Sequence, residues 1–230
     1  MSQRLSLFVL LCLLRSMKRT LEKSQNLDNE SKKAKVEVKH LIDTEESTVD
    51  YYPGFITEAG ADEMYEALKN DLDWKEDHFK VFGKLVKTPR KIYSAGDAGV
   101  SYTYSGSKKS AEPWSEDLLW IKEKVEKELG ETFNYVLLNY YNDGSDYIGW
   151  HADNESDIVP GSTIASVSFG AAREFLFREN ATNFKTSVVL GNGSLLAMKR
   201  GTQKHYKHSL PKRLKVKEGR INLTFRKIKQ

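Results

Sequence analysis

The chain has 230 residues, one cysteine and a formal net charge of +4, which is length enough for one domain with a sizeable core plus extensions. Cys12 alone excludes an internal disulfide and fits a reducing compartment. Charge is unevenly spread: residues 199–230 carry twelve Lys or Arg and one acid, residues 50–80 nine acids and three bases. The basic end fits a polyanionic partner, and a solvated charged surface is the plainer alternative.

Residues 1–45 read as an extension separate from a domain over 46–230. The apolar run at 5–14 is too short for a membrane span. It lacks a small-residue cleavage site, so neither secretion nor a membrane anchor is expected. It leaves two readings open: a mitochondrial presequence, or sequence upstream of a translation start at Met17. From Met17 to Lys35 the composition predicts disorder. Lys18-Arg19 and Lys32-Lys33-Ala34-Lys35 have bipartite nuclear-signal spacing, so a nuclear protein is expected, with a mitochondrial one as the alternative.

The folded part is expected to begin near Val49, with Tyr51-Tyr52-Pro53-Gly54-Phe55 as entry strand and turn. Thr57 can cap a helix over 58–70 with Met64, Ala67 and Leu68 inward. Ser115 can cap a second that runs to Leu129 and stops at Gly130, with Leu118, Ile121, Val125 and Leu129 inward. Beyond it the pattern is strand and turn: 135–141, 148–152, 163–169, 174–178, 187–190, 194–198, 204–209 and 220–227. Asn142-Asp143-Gly144, Pro160-Gly161 and Gly191-Asn192-Gly193 punctuate them. Eight short strands fit a double-sheet jelly roll.

Within that region lies His151-Ala152-Asp153. Residues two apart in an extended segment share a face, so imidazole and carboxylate can reach one point. Two such ligands plus one distant His suit non-haem Fe(II). The third is His208 or its competitor His205. The Asp153 carboxylate is expected to serve the ion rather than the core. From 220 to 226, Arg220, Asn222, Thr224 and Arg226 alternate with Ile221, Leu223 and Phe225, the pattern of a half-buried strand. Two arginines on the polar face call for an anion, because a guanidinium fork binds a carboxylate bidentately.

Taken together, Asn139-Tyr140-Tyr141, His151-Ala152-Asp153, His208-Ser209-Leu210-Pro211 and residues 220–226 resemble the AlkB family of Fe(II)- and 2-oxoglutarate-dependent dioxygenases. The likeness runs from about residue 50 to the C-terminus. It implies an α+β fold: a double-stranded β-helix (jelly roll) core at about 133–230, two buttressing helices and an N-terminal nucleotide-recognition lid at about 78–112. It implies Fe(II) on His151, Asp153 and His208, with 2-oxoglutarate and O2 as co-substrates. Arg220 would pair with the far carboxylate of 2-oxoglutarate and Arg226 support the end nearer the metal. Asn139, Tyr141 and Asn222 would complete the co-substrate site.

The stretch between the helices contains Val81-Phe82-Gly83-Lys84, an apolar tip with cationic shoulders at Lys80 and Lys84. It could wedge into a base stack, although a Phe82 packed in the core is the plainer reading. It resembles the finger hairpin of the family's double-strand-DNA repair branch, in which the Phe fills the gap left by a flipped nucleotide. By that resemblance Arg90 lies near the orphaned base, Tyr102 and Tyr104 line the base pocket, and Glu155 faces the lesion. Arg213 and Lys215, with Lys212, form a strand grip interrupted by Leu214. Asn154, where the branch has an acid, and Trp150 both depart from that branch. The implied activity is demethylation of 1-methyladenine and 3-methylcytosine in damaged duplex DNA, by a monomer. A single-strand or RNA demethylase, a protein or small-molecule hydroxylase and a catalytically silent nucleic-acid-binding module are the competing readings.

Overall fold

The strand with the strictest alternation is the centre of the fold. In a computed structural model that describes residues 37–81, 84–104 and 107–230, β14 (Arg220–Arg226) is buried throughout. It lies between β7 (Tyr135–Tyr141) and β9 (Ile164–Gly170). Period two then sorts its side chains. Ile221, Leu223 and Phe225 share one face, and Arg220, Asn222, Thr224 and Arg226 share the other.

The first face is covered by helices. α1 (Glu58–Asp71) packs on β9 and β14. The Thr57 hydroxyl caps it by accepting from the Gly60 amide. α2 (Glu116–Leu129) is capped by Ser115, which accepts from the Leu118 amide, and stops at Gly130 with φ +66°. That left-handed conformation suits glycine. Trp114, just ahead of α2, stacks on Phe225 with ring centroids 6.4 Å apart. Thus both helices lie where their inward apolar residues place them.

The second face looks toward a smaller antiparallel sheet. Its order is β11 (Lys185–Leu190), β10 (Arg173–Glu179), β13 (Tyr206–Leu210) and β8 (Ile148–His151). Leu137, Tyr141, Phe175, Phe177, Leu196 and Met198 belong to the core between the two sheets. This is the double-sheet jelly roll expected from the strand pattern. Among the described residues no helix is long and apolar enough to cross a membrane.

Three features differ from the sequence reading. The domain does not start near residue 46. β1 (Lys39–Asp43) pairs with β2 (Thr48–Tyr52) and forms one edge of the large sheet, and the compact unit begins at Glu37. Only Ile42 of β1 is buried, so its apolar pattern is too thin to mark a strand. Second, the stretch expected to form a lid contains strands absent from the expected strand pattern. β3 (Lys75–Val81) and β4 (Lys84–Gly96) extend the large sheet past β7, with residues 91–96 paired to residues 135–140. Lysines and arginines scattered along β4 hide its period. Only β5 (Ser101–Tyr104) and β6 (Ser107–Ser110) stand apart, as a two-stranded ribbon. Third, residues 204 and 205 are not strand: α3 (Thr202–His205) is a single turn of helix that follows Gly201 at φ +73°.

Candidate active site

His151 ends β8, and the pairing of β13 with β8 sets His208 directly opposite it. Their ring centroids are 4.2 Å apart. Asp153, two residues past His151, turns into the same cavity. One ligand atom from each of the three lies within 4.8 Å of the others. His205 is not part of this cluster: within α3, its Nδ1 lies 3.4 Å from Glu46 Oε2.

Neighbouring groups prepare each member. His151 Nδ1 is 2.9 Å from the Gly149 carbonyl. A carbonyl only accepts, so Nδ1 carries the proton and Nε2 keeps its lone pair for a metal. His208 is buried against Phe175, centroid distance 5.3 Å. Burial, with the nearby His151 and Arg226, outweighs Asp153 and pushes its pKa down to about 3. It is therefore neutral at physiological pH, the form in which imidazole coordinates. Among the described residues its Nδ1 has no hydrogen-bond partner. Burial alone would raise the Asp153 carboxyl, but the charge of Arg226, aided by both histidines, brings it to about 2. Its backbone amide donates to Gln203 Oε1 at 2.9 Å. A neutral-imidazole pair with one hard carboxylate, at this spacing, fits a divalent iron.

Arg226 donates from Nη2 to Asp153 Oδ1 at 3.0 Å, with both side chains almost wholly buried. Its partner is thus the carboxylate of the triad. Asp153 in turn neutralises a buried cation of the core, a role beyond the one expected from the sequence. Burial opposes this charge, yet Asp153 and other neighbours hold the guanidinium above its ordinary pKa.

Arg220 is different. It is buried, and Nη2 donates to the Ser168 hydroxyl at 3.0 Å. The guanidinium sits 5.4 Å from the Tyr141 ring. Among the described residues no carboxylate pairs with it, and Nε has no partner. Burial pulls its pKa down to about 10 against the effect of Tyr141, so it is still charged at neutral pH. A buried cation without an anion is costly. The site therefore fits an anionic ligand such as a carboxylate, which a guanidinium takes bidentately. The triad, Asn139, Tyr141, Arg220, Asn222 and Arg226 line one cavity.

Asn222 is already engaged. Its Nδ2 donates to Ser166 Oγ and Val167 O, and its Oδ1 accepts from Thr224. The amide ties β14 to β9 and also lines the cavity.

The nucleic-acid candidates scatter. Arg90 is buried and donates from Nε to Asn139 Oδ1 at 2.7 Å. Tyr102 is fully buried, 5.1 Å from the Tyr135 ring and 5.2 Å from the Arg226 guanidinium. Glu155 is half-buried two residues beyond Asp153. Val81 pairs with Lys84, and Tyr104 with Ser107, through the backbone. Phe82 lies outside the described residues. Arg213 and Lys215 are exposed, but Arg213 is ion-paired to Glu174.

The sequence reading missed two supports. Arg173 is fully buried and donates to the carbonyls of Asp143, Asp146 and Pro211, which braces the loop before β8 against the segment after β13. An arginine at the same strand parity as the inward Phe175 and Phe177 was a usable clue. Gln203, which orients Asp153, left no sequence signal.

The sequence profile of the 2OG-Fe(II) oxygenase superfamily matches residues 48–226. The human (Homo sapiens) DNA oxidative demethylase ALKBH2 is 45% identical over 188 residues, 77% of this chain and 72% of that protein. The Mus musculus ALKBH2 is 42% identical over 188 residues, 77% of this chain and 79% of that protein. The alpha-ketoglutarate-dependent dioxygenase alkB homolog 3 of Rattus norvegicus is 34% identical over 198 residues, 82% of this chain and 66% of that protein. Among solved structures, that of OsALKBH1 superposes with a TM-score of 0.59 at 16% identity. It covers 83% of this chain and 100% of that chain, a likeness of fold.

Proposed function

This chain belongs to the 2OG-Fe(II) oxygenase superfamily and, within it, to the double-strand-DNA repair branch of the AlkB family, and from that premise we propose that it removes alkyl groups oxidatively from bases in DNA. It is a dioxygenase that takes Fe(II), 2-oxoglutarate and O2. The substrates in this reading are 1-methyladenine and 3-methylcytosine, preferably in a duplex, approached by a monomer in the nucleus.

The observation that carries the reading is the meeting of a His-Asp-His cluster and an unpaired buried guanidinium in one cavity. When bound, iron and 2-oxoglutarate would supply the oxidative chemistry with O2 as the oxidant, one oxygen atom going to succinate and the other to the N-methyl carbon, so that succinate, CO2 and formaldehyde are the products. The protein supplies position. His151, Asp153 and His208 would hold the ion, each offering one ligand atom to a common point. Arg226 keeps Asp153 ionised, and the Gly149 carbonyl keeps the His151 tautomer. Arg220 takes the distal carboxylate of the co-substrate. The methyl group sits on the base-pairing edge, so the base must leave the stack. A base that already cannot pair leaves it at lower cost, which favours the lesion before any contact is made.

Formaldehyde release from matched single- and double-stranded oligonucleotides carrying 1-methyladenine tests the reading. Release that needs both Fe(II) and 2-oxoglutarate, and is faster on the duplex, is expected. No release from either substrate would overturn it. Faster release from the single strand would favour the second reading, which Trp150 motivates. Its ring lies 4.6 Å from the Arg178 guanidinium and 5.9 Å from Lys185 Nζ, an aromatic and cationic surface suited to an unpaired strand.

A further inference from the structure

We infer that Arg90 is a positioning residue for the co-substrate: it locks the side-chain amide of Asn139 so that the NH2 group, not the carbonyl, is offered to the cavity. This rests on the reading of the cavity as a 2-oxoglutarate site. The register of β4 against β7 sets Ile92 opposite Asn139. Arg90, two residues earlier, shares that face and is a diagonal neighbour within reach of a long side chain. It is 7% exposed and Asn139 6%, so neither group has bulk water as a ready alternative partner. Arg90 Nε lies 2.7 Å from the Asn139 amide. A guanidinium has no acceptor, so the amide atom that faces it must be oxygen. Such a charge-assisted bond is stronger than one between neutral groups.

The amide has only two polar ends. With Oδ1 held by Arg90, Nδ2 remains for the cavity that Asn139 lines, and among the described residues no acceptor takes it. Together with Arg220, this gives the cavity a second donor where an oxygen-rich anion would sit. Without Arg90 the amide could turn and present its carbonyl, a lone pair against a lone pair. The sequence resemblance puts Arg90 beside an orphaned base. Its burial and its bond to Asn139 assign it instead to the co-substrate side of the reaction.

The test compares wild type with Arg90→Met, which keeps length and removes the donor, and Arg90→Lys, which keeps a donor. Two affinities are measured: 2-oxoglutarate by calorimetry on the anaerobic Fe(II) protein, and methylated duplex by fluorescence anisotropy. Arg90→Met should weaken 2-oxoglutarate about two- to tenfold, the loss of roughly one oriented hydrogen bond. The KM for 2-oxoglutarate should rise by the same factor while kcat and duplex affinity stay put. Arg90→Lys should recover part of the loss. Unchanged 2-oxoglutarate affinity in Arg90→Met, or a loss of duplex affinity instead, overturns the inference and returns Arg90 to the base. If Arg90→Met fails to fold, Asn139→Asp decides: it keeps a partner for Arg90 but offers no donor to the cavity. Weaker 2-oxoglutarate binding there supports the inference and unchanged binding overturns it. A wild-type protein that binds no 2-oxoglutarate at all fails the parent reading, a result distinct from any of these.

Discussion

Arg226 and Asp153 form an ion pair with 3.0 Å between Nη2 and Oδ1, 3% and 4% exposed. The carboxylate that would hold iron therefore also neutralises a buried arginine. Removing one partner of such a pair leaves an uncompensated charge, a loss of about 3 kcal/mol or more. Asp153→Ala should thus abolish formaldehyde release and also lower stability by that order in urea unfolding. Asp153→Ala combined with Arg226→Met should regain much of the stability and none of the activity. Equal stability of wild type and Asp153→Ala would show that water reaches the pair and screens it.

The same pocket predicts acid lability of the iron-free protein. The His208 imidazole, held down to about 3 by burial and its positive neighbours, takes up no proton in the folded state where the unfolded chain does so near pH 6.5. Its contribution is complete above about pH 6.5 and is lost as pH falls toward 3, with a slope of up to about 1.4 kcal/mol per pH unit. Asp153 acts the same way lower down, between its ordinary carboxyl range and about 2. Urea midpoints from pH 8 to 4 should be flat, then fall. His208→Gln should flatten the upper part of that fall, and an unaltered slope would remove His208 as its cause.

Arg220 is buried, donates to the Ser168 hydroxyl and has no carboxylate partner among the described residues, which is why the proposed function gives it the co-substrate carboxylate. Arg220→Lys keeps the charge but not the fork. The KM for 2-oxoglutarate should rise at least about tenfold, the scale of one hydrogen bond to a charged group. Iron affinity should hardly move. A KM within twofold of wild type would assign the anion site elsewhere.

What was legible in the sequence was local. Alternation from Arg220 to Arg226 shows which side chains share a face, and the caps at Thr57 and Ser115 mark both helix starts. His205 and His208 could not be separated that way, because only the register of β13 against β8 sets His208 opposite His151. Gln203 reaches Asp153 across 50 residues, and Arg90 reaches Asn139 across 49. No period or spacing records such pairs. The packing of Tyr102 against Tyr135 likewise left no trace in its strand parity.

The finger resemblance separates duplex repair from the single-strand reading. β3 and β4 stay paired as far as Val81 and Lys84, with Phe82 and Gly83 between them in sequence. In the duplex reading Phe82 replaces the stacking lost when the damaged base leaves, an effect on the order of 1–3 kcal/mol. Phe82→Ala should then slow turnover on duplex substrate by roughly ten- to a hundredfold. On a single strand no gap opens, so the change there should be small. Both rates are to be measured at one low salt concentration, because phosphate contacts weaken steeply as salt rises and would blur the difference. Lys84→Ala supplies the contrast: a lost phosphate contact should weaken binding to both substrates alike and lower the salt dependence. Equal losses on duplex and single strand with Phe82→Ala would reject the wedge and leave the single-strand enzyme as the better reading.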